Sequence, residues 1–70
     1  MKGAAHRLRV NMLHYMNNPT NVTKGVIIGL ATALHEFGVF SARERDLIIM
    51  WVNRGEGEVP LIEKINYLCE

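Results

Sequence analysis

The sequence predicts an all-α fold: a compact bundle of about four short helices in a single domain spanning residues 1–70. Three observations point there. Apolar side chains recur at helical spacing along most of the chain. Ser41-Ala42-Arg43-Glu44 is a capping box, the signature of a helix start. No segment offers a strand with a convincing pairing partner.

Residues 4–16 read as the first helix, with Ala4, Ala5, Leu8, Met12, Tyr15 and Met16 on one arc and Arg7, Asn11 and His14 opposite. Val10 also falls on the outer side. Asn17-Asn18-Pro19 should end it, because the residue before a proline is pushed out of the helical region. The second helix should run from Pro19 or Thr20 to Phe37, with Asn18 as cap and proline in the first helical position. Val22, Val26, Leu30, Ala33, Leu34 and Phe37 are expected on its inner face, Ile28 on its outer side, and Gly38 at its end. Gly25 and Gly29 interrupt this helix at about 1 kcal/mol each relative to alanine. With Ala33 they form a strip of small residues. Close packing inside the bundle is the simpler reading of that strip, and a seam with another chain is the alternative.

The third helix should begin after Ser41, at Ala42, and end near Arg54, with Gly55 terminating it. The short Gly38-Val39-Phe40 connection makes helices two and three neighbours joined by a tight turn. Leu47-Ile48-Ile49-Met50-Trp51-Val52 is apolar around the whole circumference, so this helix is either central or meets another chain. Residues 55–58, Gly-Glu-Gly-Glu, form a polar loop. A last helix follows with Pro60 in its first turn, Leu61, Ile62, Ile65, Leu68 and Cys69 inward, and Glu63, Lys64, Asn66 and Glu70 outward.

Composition narrows the function classes. The 70 residues are 49% hydrophobic and carry a formal net charge of +1, too apolar and too nearly neutral for a disordered tail. One cysteine makes no internal disulfide. The basic N-terminal region lacks the apolar core of a secretory leader, and the longest run without a charged residue or histidine, Gly25 to Leu34, is about half a membrane span. The expectation is a cytoplasmic protein without membrane association. In so short a chain, apolar burial at ~25 cal/mol per Å² and ordering entropy at ~1.5 kcal/mol per residue nearly cancel. Good helix packing or a partner chain must tip the balance.

Site chemistry is sparse. His6 and His14 lie about 80° and roughly 12 Å apart on a helix, which does not chelate, and zinc-ligand spacings are absent. Cys69 reads as a structural thiol. No phosphate loop follows a strand, and Glu56 and Glu58 sit on a loop unsuited to paired acid–base work. Neither a catalytic residue, a metal, a cofactor nor a small-molecule substrate is expected. Lys2, Arg7, Arg9 and Lys24 have no acid among them, whereas the rest of the chain sets four cations against seven acids.

Two functions are compatible with this pattern. The favoured one is a small regulatory protein that binds another protein, or a second copy of itself, stoichiometrically through an apolar helix surface. Ile28, Phe40, Ile48, Met50 and Trp51 are the expected interface residues. By analogy of class, such chains act as inhibitors, antitoxins or repressor antagonists, often phage- or plasmid-borne. The alternative is a helix-turn-helix DNA-binding transcriptional regulator, with Arg43 and Arg45 reaching bases. The apolar remainder of helix three and the weak positive charge count against nucleic acid.

Overall fold

A computed structural model describes residues 2–70 as four helices: α1 (Lys2–Asn17), α2 (Asn21–Glu36), α3 (Ala42–Arg54) and α4 (Ile62–Leu68). The all-α bundle expected from the sequence is the observed architecture. Helix α1 packs directly on α2 and α4, and α2 packs on α3. Leu8, Met12, Ile27, Leu34, Phe40, Ile48, Val52 and Ile65, fully buried, fill the space between the helices.

Helix α1 starts two residues earlier than expected and buries Ala5, Leu8, Met12 and Tyr15. Met16, expected on that arc, is exposed instead. It sits at the edge of the stripe, and the seven-residue α4 covers only part of α1's flank.

Two details of α2 differ from expectation. Its N-cap is Thr20, not Asn18, and Pro19 lies outside the helix. The Thr20 Oγ1 accepts from the Thr23 backbone N–H at 3.2 Å and donates to the Thr23 hydroxyl at 3.0 Å. This pairing lets Thr23 turn inward as a buried, satisfied polar residue. Secondly, the inner face is Thr23, Ile27, Ala31 and Leu34, rotated about 80° from the stripe read in the sequence; Leu34 is buried as expected, and Leu30 packs partly on the core. Val22 and Phe37 point to solvent. Ile28, expected outside, is half-buried against the core. Because α2 is apolar on two sides, counting apolar residues alone selects the wrong one.

The turn after α2 explains how that rotation is held. Val39 N–H bonds to Leu34 C=O at 2.9 Å and Gly38 N–H to His35 C=O at 3.0 Å, a Schellman arrangement around a left-handed Gly38 (φ 79°). His35 donates from Nδ1 to the Phe40 carbonyl at 3.0 Å. That turn fixes Leu34 inward and drops Phe40 into the core.

The capping box of α3 is present in both directions: Glu44 N–H to Ser41 Oγ at 3.1 Å, and Ser41 N–H to Glu44 Oε1 at 2.9 Å. Gly55, left-handed at φ 76°, ends the helix by bonding to the Trp51 carbonyl. The helix is not central. It buries Ile48, Trp51 and Val52 and leaves Leu47 and Met50 exposed, with Ile49 between. An apolar run that covers the whole wheel is therefore split into a buried side and an open one.

Helix α4 begins later than expected, at Ile62, with Pro60 and Leu61 in the preceding turn. Leu61 is the one left-handed residue that is not glycine among the described residues (φ 58°). Holding a leucine there costs about 1–2 kcal/mol, offset by packing its side chain on the core. Lys64, expected to face outward, turns back: its Nζ bonds both Glu44 carboxylate oxygens at 2.8 and 3.0 Å and lies 5.5 Å from the Phe40 ring centroid.

Candidate protein-binding surface

The corner where α1, α3 and the 55–58 loop converge is built around Trp51. Tyr15 and Trp51 meet edge to face, with ring centroids 5.8 Å apart and planes at 61°. Each ring also satisfies its polar end. The Tyr15 hydroxyl donates to the Val52 carbonyl at 3.1 Å, and the Trp51 indole N–H donates to the Gly57 carbonyl at 3.1 Å. The backbones of α1 and α3 do not pack directly, so these aromatic side chains span the gap. The loop can bend onto the indole because Gly55 and Gly57 both take left-handed conformations (φ 76° and 96°).

Two shallow grooves flank Trp51. One, of about 170 Å³, is bordered by Leu47, Met50, Arg54, Glu56, Glu58 and Pro60. The other, of about 230 Å³, is bordered by Tyr15, Met16, Pro19, Gly55 and Gly57. Trp51, Glu56 and Gly57 line both. The lining mixes polar and apolar surface in nearly equal parts, with Leu47 and Met50 beside the indole and Glu56 and Glu58 outnumbering Arg54. Neither acid is in an ion pair; the pairs among the described residues are Arg45–Asp46 and Lys64–Glu44.

The five expected interface residues do not form one exposed patch. Phe40 and Ile48 lie in the chain's own core, Ile28 is half-buried against it, and Trp51 shows only its edge, 7% of its surface. Met50 alone stands out, 54% exposed. The reason is packing: Phe40 is fixed by the Schellman turn, and Ile48 and Trp51 share the inward side of α3. Leu47 and Met16 join Met50 on the open surface, and the sequence reading did not single them out for it. For Leu47 the signal was present, since it is one turn before Met50 on the same helix side.

Arg43 and Arg45 lie at the start of α3. Arg43 is exposed, while Arg45 is engaged by its neighbour Asp46 at 2.9 Å. Beside them the Lys64 ammonium, with help from the Ser41 backbone N–H, holds the Glu44 carboxyl below its ordinary range. Three of the four ionic groups at this helix end are thus acids or are already paired. Among the described residues no three potential ligands cluster as a metal site, and no helix is long and apolar enough to cross a membrane. Cys69 is half-buried against the core.

No protein-family model, no curated protein and no solved structure matches this chain.

Proposed function

We propose that this chain is a small regulatory protein of the inhibitor, antitoxin or repressor-antagonist type, acting by stoichiometric binding to another protein. The observation that carries the reading is the set of exposed apolar side chains, Leu47, Met50 and Met16, standing beside an indole already held in place. Contact residues that need no reordering lose little entropy on docking. Methionines beside a rigid aromatic ring are the side-chain types enriched at protein interfaces. The unpaired Glu56 and Glu58 on the rim favour a partner that presents apolar residues with basic neighbours. Regulation would follow from occlusion: the partner's working face is covered while the complex lasts.

A photoreactive side chain placed at position 50, in cells that express the chain, tests this. The expected result is one saturable cross-linked complex of 1:1 stoichiometry, lost on Leu47→Glu and absent when the photoreactive group sits at position 67 on α4. Equal labelling from positions 50 and 67, or none from either, overturns the proposal.

A further inference from the structure

Gly25 and Gly29 weaken α2, yet nothing within the chain uses their smallness. A Cβ on either would meet no atom within 4 Å, and neither has a left-handed backbone that requires glycine. They lie on an outward arc of about 120° that also carries Val22, Val26, Ala33 and Phe37. Val22 is 79% and Phe37 72% exposed, among the most exposed large apolar side chains of the protein. Helix α2 therefore has a second apolar face, open at Val22, Gly25, Gly29 and Phe37 and half-buried at Val26 and Ala33, separate from the Trp51 grooves.

We propose that this face is the seam of a homodimer, in which a second copy of the chain lays its α2 antiparallel across this one, the backbones crossing at Gly29. The pattern is self-complementary, as a twofold interface demands. Val22 and Phe37 lie seven and eight positions on either side of Gly29, so a twofold axis there sets each Phe37 over the Val22 of the other copy. Gly25 then faces Ala33, and the missing side chains let the backbones approach.

Charge selects the direction. Glu36 is the only ionic residue on the arc, and it sits at the C-terminal end of α2, where an anion opposes the helix dipole. Antiparallel pairing carries it to the positive end of the other α2, whose first turn has no acid. Parallel pairing would set the two Glu36 carboxylates against each other. The size of the seam sets its strength. A standard interface takes about 800 Å² per partner, close to a fifth of this chain's 4419 Å² surface. One face of a helix about 24 Å long covers less, so the dimer is weak and concentration-dependent.

Sedimentation equilibrium over roughly 10 µM to 1 mM tests the seam. The average mass of the wild-type chain should rise from monomer towards dimer. The double variant Gly25→Ala, Gly29→Ala should melt at a higher temperature when dilute, yet dimerise at least about tenfold more weakly. That opposition separates a lost seam from a damaged fold. In a Cys69→Ser background, a mixture of Val22→Cys and Phe37→Cys chains should oxidise mainly to the mixed disulfide. A monomer at all concentrations, undiminished association of the double variant, or predominance of the symmetric disulfides overturns the proposal. So does a dimer dissolved by Met50→Glu, which would move the contact to the Trp51 surface.

Discussion

Replacing Tyr15 by phenylalanine isolates the link between α1 and α3. The hydroxyl donates to the carbonyl of Val52 at 3.1 Å, and that carbonyl lies in the last turn of α3, where no later helical N–H reaches it. Tyr15→Phe keeps the ring and its edge-to-face contact with Trp51, removing one oxygen. Orphaning a buried carbonyl costs about 1–3 kcal/mol, whereas losing a hydrogen bond that water replaces costs about 1 kcal/mol. The groove of about 230 Å³ borders Tyr15 and Trp51 but not Val52, which is 1% exposed, so about 1 kcal/mol is the smallest loss expected. For a chain of this length, 1 kcal/mol corresponds to about 7 °C in Tm. Thermal unfolding followed by far-ultraviolet circular dichroism, with Trp51 emission as the local probe, provides the assay. A Tm within about 2 °C of wild type refutes the reasoning, because the hydroxyl would then contribute nothing to joining the two helices.

Four further outcomes follow from the same geometry. Ser41→Ala removes half of the capping box and should cost about 1 kcal/mol in urea unfolding, with the m-value unchanged. Glycine-to-alanine changes should have opposite signs in one chain: Gly29→Ala, in open space on α2, gains up to about 1 kcal/mol, while Gly55→Ala, at φ 76°, loses about 1 kcal/mol. The Glu44 carboxyl, held low mainly by Lys64, adds stability that is complete above the unfolded carboxylate value of about 4.3 and is lost as the pH falls below it. Glu44→Gln should therefore be less stable than wild type at pH 7 and converge with it in acid, a trend that urea titrations at several pH values will show or deny. Met50→Glu, on an exposed side chain, should change stability by less than about 0.5 kcal/mol while abolishing partner capture; a large loss of stability would mean that Met50 belongs to the core.

The fold was legible because helix boundaries are local chemistry. Ser41 and Glu44 announced α3, and Gly38 and Gly55 marked two ends, all as observed. Orientation was harder to read, because it is decided by neighbours. In α2 the stripe with more apolar residues, from Val22 to Phe37, was expected inside. The Thr20–Thr23 pair and the Schellman turn at Leu34 instead rotate the helix so that Ile27 and Ala31 face the core. The surplus of apolar surface is real but lies elsewhere than expected: on α2 it is at Val22 and Phe37, not at Ile28. Of the candidate surface, Met50 could be read from the sequence. Phe40 and Ile48 could not be separated from it, because composition marks a side chain as apolar without saying which side of the helix is covered.

Helix α4 is the part of the bundle with least to hold it. It has seven residues, begins without a side-chain cap after the left-handed Leu61, and buries only Ile65 completely. Beyond that contact it is held by partly buried Leu61, Leu68 and Cys69 at its ends, by the Lys64–Glu44 pair and by Arg9 reaching Asn66 at 3.0 Å. Such a segment detaches as a unit at a fraction of the global unfolding free energy. Its amides should exchange with deuterated solvent well before those of α1 and α2, and the flank of α1 bared by this transient opening should be where a protease gains entry.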